Sequence, residues 1–509
     1  MCFIVQFDKS YVEAIMRSFL SILILASMLL TLAACSGGTD MPNDGTRPSY
    51  TTTSDPENTL DYEEDDIPDD LDFGGQVINF ALAGQGTANI RTNEIFTDEL
   101  NSDIVNDSIY NRQKYVEERL GVEINPVFIG PLDYEAELER QHMSDEDMYQ
   151  LCGYITFAFT RFVFTDYLYD LTTLNYLDLE KPWWSQTFNA EAEIMDGQYV
   201  ATGSLALSLS RSMFAIFYNK KLADSHSATF PELNELYDIV DRGDWTYDKF
   251  YELGSSIYTD NNGNDTRDEE DYYGIGFQEC IGADVIWSSF DIDILSPDGD
   301  GWFELDVPVE KMYDVLGKIH TLLNNTPGCF NPGGDDEDLK VLSEMMAGDN
   351  LLFMNNKLDA VESQTLRNMQ SDYGILPFPK YNSAQKEYYT YAHDSYTSFA
   401  IPKTNLAPDV SAAVLEALAS YAYRETNPSY FNVALKGKYM NDPQSRKMLD
   451  LVVDGFKVDA AWIYLETLGA GFPANFRPSD DTSYAGKYAS QSKKVETNLK
   501  MYKVASKFS

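Results

Sequence analysis

Downstream of residue 73 the apolar positions fall into short runs and helical stripes that alternate along the chain. Gln76-Val77-Ile78-Asn79-Phe80-Ala81-Leu82-Ala83 predicts a strand ending in the glycine-containing turn Gly84-Gln85-Gly86-Thr87. Val105, Ile109, Val116 and Leu120 then recur at helical spacing, and Gly121 is placed to stop that helix. Val122 to Val127 reads as a second strand, so the body opens strand, helix, strand, as α/β folds do. A third apolar run covers 149–159. Gln198 to Gly203 and Ala206 to Tyr218 also look strand-like, with β-branched, aromatic and small residues. Thr246 can cap a helix whose buried face carries Phe250, Leu253 and Ile257, with Asp248 at its anion-favouring end. Further on, Tyr273 to Phe277 predicts a strand and Met312, Leu316, Ile319 and Leu322 a helix. Leu351 to Met354 predicts a strand, 359–369 a helix, and Asp372 to Lys380 a strand with a proline-stiffened exit. Tyr396 to Ile401 is extended up to Pro402. Beyond it lie the helical stripes Val414-Leu415-Leu418 and Met448-Leu449-Val452. There is no internal repeat and no heptad pattern.

Upstream the pattern is different. Residues 19–34 read FLSILILASMLLTLAA behind Arg17. As a helix this stretch rises about 24 Å, short of a hydrocarbon span of about 30 Å. No basic or aromatic anchor follows, so residues 1–34 fit a signal peptide better than a spanning helix. Leu32-Ala33-Ala34-Cys35 resembles a bacterial lipobox, whose cleavage frees Cys35 for acylation, palmitate included. The alternative is an ordinary signal peptide with an incidental cysteine. From Asp55 to Asp72 there are ten carboxylates and no base, so 35–73 is expected to be an extended acidic tether.

Composition narrows the function. The 82 acidic and 37 basic residues give a formal net charge of -45, which argues against binding a phosphate backbone. Hydrophobic content of 44% over 509 residues supports large cores, in two to four domains or two large lobes. Four histidines argue against multi-histidine metal catalysis. Cys152, Cys280 and Cys329 read as buried thiols, a Cys280–Cys329 bridge being the alternative. The many tyrosines, phenylalanines and tryptophans suit sugar rings, since aromatic faces pack on C–H groups while polar neighbours bond the hydroxyls.

Several blocks stand out along the body: Ile109-Tyr110-Asn111-Arg112, Val116 to Ile124, Leu177 to Trp184, Phe217 to Leu222, Gly243-Asp244-Trp245-Thr246, Asp372 to Lys380, and Ala434-Leu435-Lys436-Gly437-Lys438-Tyr439. In their order and number they resemble the carbohydrate-type extracellular solute-binding proteins of ABC importers, the class of the maltose-binding proteins, and within it a group of large clostridial-type lipoproteins. The resemblance implies a periplasmic-binding-protein-like fold: two α/β lobes joined by a hinge around an interlobe cleft. Lobe 1 is expected at 74–213 plus 352–397 and lobe 2 at 217–350 plus 400–509, with crossings near 213–218, 348–353 and 398–402. The implied role is capture of a small polar solute, a mono- or oligosaccharide, for the membrane subunits of an ABC permease. The monomer would sit on the outer face of a bacterial membrane, Gram-positive in type, held by its N-terminal lipid. No catalytic residue is implied, and no G-x-S-x-G, H-E-x-x-H or P-loop motif occurs. A cell-surface polysaccharide adhesin and a secreted glycoside-active enzyme are the competing readings.

Ligand contacts are expected on loops at the carboxyl ends of strands. That points to Gln85, Thr87, Thr202, Ser204 and Trp287, and to Tyr391, His393, Asp394 and Tyr396 beside a crossing. Trp462 and Arg477 are expected from lobe 2. Related proteins carry Asn-Pro-Trp-Gly where this chain has His393-Asp394-Ser395-Tyr396, which removes an aromatic platform. Trp183, Trp184 and Trp245 read as packing residues. Asp260, Asn262, Asn264, Asp268 and Asp271 have approximately the spacing of a calcium loop. Asp265 stands where such a loop wants glycine, and the last position is Asp271 rather than glutamate. The alternative is a solvated acidic loop.

Overall fold

Strand β1 (Gln76–Ala83) forms along the first predicted run and pairs in parallel with β2 (Val122–Ile129), Gln76 opposite Val122, and with β3 (Leu151–Ile155), Phe80 opposite Leu151. This computed structural model describes residues 63–84, 94–334, 337–431, 443–477 and 483–505. The β1–β2 crossover is the helix Ile104–Leu120. Asp103 accepts from the amides of Val105 and Asn106 at its start, and Gly121 ends it at φ 60°, in the left-handed region that favours glycine. Val105, Ile109, Val116 and Leu120 form its buried face, as their spacing predicts.

A second sheet is built from β4 (Phe214–Asn219), β5 (Tyr258–Thr259), β6 (Tyr272–Gly276), β9 (Cys329–Phe330), β10 (Leu351–Lys357) and β11 (Tyr373–Leu376). A separate hairpin pairs β7 (Leu295–Pro297) with β8 (Phe303–Leu305). The last strand, β12 (Thr397–Ala400), returns to the first sheet antiparallel to β3, giving the order β12-β3-β1-β2. The second sheet has the order β11-β4-β10-β6-β5, with β9 on β6. Helices Tyr247–Gly254, capped by the Thr246 hydroxyl, and Val309–Asn325 also form where their stripes predict.

Strand pairing draws the halves differently from the sequence boundaries. β10 pairs antiparallel with β4 and parallel with β6, and β11 pairs with β4, so 351–357 and 373–376 belong to the second sheet. The chain returns to the first sheet between Leu376 and Thr397. After β12 the helix Pro408–Tyr421 packs on Ile104–Leu120, and the Ser108 and Thr426 hydroxyls lie 3.0 Å apart, so 408–431 stays with the first half. Locally, the strand-like run from Ala206 holds the helix Leu207–Arg211 before β4 begins. The stretch 359–369 splits into a 3₁₀ turn, Leu358–Glu362, and the short helix Gln364–Arg367 capped by Ser363.

The end of the acidic segment is not a free tether. Between Glu63 and Phe73 it lies on the first half. Arg119 grips Asp65 through two bonds of 2.6 and 2.8 Å and donates to the Ile67 carbonyl at 3.0 Å. Ile67 is buried, and Lys181 pairs with Glu63 at 2.8 Å and Asp66 at 2.9 Å. The signal peptide, Cys35 and the rest of the acidic run lie outside the described residues, as does the block Ala434 to Tyr439. Cys152 and Cys329 are buried and Cys280 is half-buried, and no Cys280–Cys329 bridge forms. Among the described residues no helix is long and apolar enough to cross a membrane.

Candidate functional site

Crossing segments run side by side between the sheets. Met213 bridges Ala392 antiparallel, His393 N–H donates to the Ser212 carbonyl at 2.9 Å, and Phe214 N–H donates to the Tyr391 carbonyl at 2.8 Å. Thr390 in turn bridges Phe456. Over this crossing lies an open groove of about 310 Å³ with walls from both halves. The first half contributes Trp183, Trp184, Ser204, Asn427 and Phe431; the second contributes Asp454 and Phe456; the crossing itself contributes Ser210 and Met213.

Short-range packing sets the first wall. Ser204 N–H donates to the Trp183 carbonyl at 2.8 Å and Ser185 N–H to the Thr202 carbonyl at 2.9 Å. Gly203 makes this approach feasible, because a Cβ there would run into the Trp183 carbonyl. Trp184 is buried, and its indole N–H donates to the Glu416 carboxyl at 2.9 Å. Burial pushes that carboxyl up to about 8, so at neutral pH it is largely protonated and brings little charge to the wall. Opposite, the helix Pro408–Tyr421 widens into a π-helical turn over Ala422–Thr426 and delivers Asn427. The side-chain carbonyl of Asn427 is buried without a hydrogen-bond partner. The Phe456 ring stands edge-on to Tyr396, their centroids 6.1 Å apart.

Beside the crossing, the buried Glu94 carboxylate accepts from Ser208 N–H at 2.5 Å, the Ser208 hydroxyl at 3.0 Å and the Thr397 hydroxyl at 2.5 Å. It thus satisfies the first turn of Leu207–Arg211. Arg112, fully buried, donates to the carbonyls of Glu94 and Ile95 at 3.0 and 2.7 Å. Burial lowers its pKa to about 10, against the opposing pull of Glu94.

Of the residues singled out in the sequence, Ser204 lines the groove. Tyr396 lies behind the groove against Phe456 and Phe188, and Thr202 is buried, donating to the Thr397 carbonyl at 2.7 Å. His393 contacts the Ser395 hydroxyl at 2.8 Å and lies 3.5 Å from Asp394. Trp287, Tyr391 and Trp462 are instead buried away from the groove lining near Asp284, where the half-buried Arg477 joins them. Arg477 holds Asp284 by bonds of 2.6 to 3.1 Å, Trp287 packs on Phe472 and Phe476, and Tyr391 packs on Trp462. Gln85 and Thr87 lie outside the described residues. Sequence reading missed Asn427, Phe431 and Phe456, which carry no local pattern. Trp183 and Trp184, expected in packing roles, are buried in the groove wall.

In the acidic loop, Asp260 accepts from the amides of Gly263 and Asp265, and Asp268 accepts from the side-chain amides of Asn262 and Asn264. Asp271 is buried and accepts from the Tyr258 hydroxyl and Asn261 N–H. Asp265 takes φ 58°, the left-handed turn a glycine would supply. Among the described residues no group of three or more His, Cys, Asp or Glu side chains is placed to hold a metal ion.

No family model and no curated protein sequence matches the chain. Solved structures do. An ABC substrate-binding protein of Listeria monocytogenes in complex with cycloalternan superposes with a TM-score of 0.52 at 12% identity, over 84% of this chain and 99% of that one. A cyclo/maltodextrin-binding protein complexed with maltotetraose gives 0.51 at 10% identity, over 85% and 97%. The galacto-N-biose-/lacto-N-biose I-binding protein of a Bifidobacterium longum ABC transporter, in complex with lacto-N-biose, gives 0.50 at 10%, over 84% and 98%. The periplasmic-binding-protein-like α/β architecture expected from the sequence is therefore the architecture found.

Proposed function

We propose that this chain is an extracellular solute-binding protein that takes a mono- or short oligosaccharide into the groove over the crossing and hands it to an ABC permease. One observation carries the reading: a groove of about 310 Å³, walled by both halves, brings the aromatic residues Phe431 and Phe456 together with Ser204 and Ser210. That volume is at the small end of ligand sites, and rings with a few placed polar groups are what a sugar face and its hydroxyls need. The sugars held by proteins of the same fold support the same choice of ligand. We read it as a binder rather than an enzyme. Among the described groove residues Asp454 is the sole carboxylate, whereas glycoside hydrolysis needs two opposed ones. Cys35 carries the lipid that keeps the monomer at the outer membrane face.

A thermal-shift screen with maltotetraose, lacto-N-biose and monosaccharides tests the ligand class. At least one sugar is expected to raise the Tm by a few degrees at about a hundredfold excess over Kd, and Phe431→Ala to reduce that shift. No shift with any sugar of a broad panel overturns the reading. Cys35→Ala is expected to release the protein into the medium, and retention on the membrane overturns the anchor.

A further inference from the structure

Three residues close to the groove tie the two halves together. Glu362 ends the 3₁₀ turn Leu358–Glu362 that leaves β10, in the second sheet. Tyr430 lies in the helical stretch that rests on the first half. Arg211 lies between them on the crossing helix Leu207–Arg211. Arg211 Nε donates to Glu362 Oε1 at 2.8 Å and Nη2 to Oε2 at 3.3 Å, and the Tyr430 hydroxyl donates to Oε1 at 3.0 Å. The guanidinium also lies 5.3 Å from the centroid of the Tyr430 ring.

Tyr430 is fully buried, and the Arg211 and Glu362 side chains are only 12% and 17% exposed. A paired charge this dry depends on close geometry, since its desolvation is offset only while its bonds are made. Turning one half against the other would pull Glu362 from Tyr430, so the triad fits one hinge angle. Arg211 Nη1 is buried without a partner, which leaves the triad incompletely satisfied and limits how strongly it holds. Ser210 and Phe431 line the groove, each one residue from a member of the triad.

We propose that Arg211, Glu362 and Tyr430 form a latch that holds the halves closed in the ligand-free protein and so sets how much closing remains for the solute to drive. The inference rests on the reading of the groove as the solute site. By pre-populating the closed form, the latch raises apparent affinity, which scales with the fraction of binding-competent molecules.

Small-angle X-ray scattering of the ligand-free full chain tests it, with Tyr430→Phe and Glu362→Gln, which keep ring and shape. Each variant is expected to have a larger radius of gyration than the wild type, with a cooperative unfolding transition retained. Where a sugar from the panel binds, both are expected to weaken it by about tenfold and to return to the wild-type radius at saturation. Folded variants whose ligand-free scattering matches the wild type overturn the latch. So does a wild type that is already as open as the variants. If one variant fails to fold, the other decides. A panel in which no sugar binds overturns the solute reading alone, because the ligand-free radii still report on the latch.

Discussion

Glu191 and Asp459 face each other with little water around them. Glu191 accepts from Ala460 N–H at 3.1 Å, while Asp459 accepts from the amides of Ile294, Leu295 and Ala461. Burial first, and then repulsion from Asp459, push Glu191 up to about 8. Burial, with Asp293 adding to it, pushes Asp459 up to about 7, against the hydrogen bonds it accepts. Lys457, paired with Asp291 and Asp293, pulls Glu191 the other way without prevailing. Each folded carboxyl therefore keeps a proton that the unfolded chain releases near pH 4. Stability is expected to fall as pH rises from about 4 to about 8 and to level off above that. Calorimetry should show Glu191→Gln melting above the wild type at pH 8, by an amount on the order of a few kcal/mol, with the gain gone near pH 5. A wild-type-like pH profile in Glu191→Gln would refute this. Nothing in the sequence marks this pair. In a chain of 82 acidic residues, only the fold says which ones lose their water.

At the scale of elements, legibility tracks how local the cause is. Gly121 ends its helix and Thr246 caps the next through contacts within a few residues, and both can be read directly. The helix Leu207–Arg211 cannot, because the carboxylate satisfying its first turn is Glu94, far back in the chain. β10 is recognisable as a strand, but with only Lys357 less than fully buried its side chains do not say which sheet it joins. The Glu63–Phe73 segment hid behind its charge. Ten carboxylates outweigh Ile67 and Phe73 in any composition argument, yet Arg119 and Lys181 neutralise enough of them for those two to dock. Asp65 is 2% exposed in its side chain, so Arg119→Ala strands a buried carboxylate. That variant is expected to lose roughly 3 kcal/mol in chemical denaturation and to expose 63–73 to protease. An unchanged midpoint would mean that the segment only rests on the surface.

For the whole molecule, the two-lobed α/β architecture was implied by block order, while strand pairing puts the later crossings elsewhere than expected and the groove depends on residues from four separate stretches. Segments 182–187, 203–213, 427–431 and 453–456 meet only because the chain passes between the halves repeatedly. A neutral solute in such a groove should bind almost independently of salt despite the charge of -45, since no ion is exchanged on binding. Titration calorimetry at about 0.05 and about 0.5 M salt is expected to give Kd values within about twofold. A steep dependence would point to an ionic solute. The docked acidic segment adds a mechanical consequence. Any pull transmitted along the chain from upstream of Glu63 enters the body through Arg119 and Lys181, on one half only. The other half carries none of that load directly. Lys181 is followed directly by Pro182 and Trp183, so that load reaches the groove wall first.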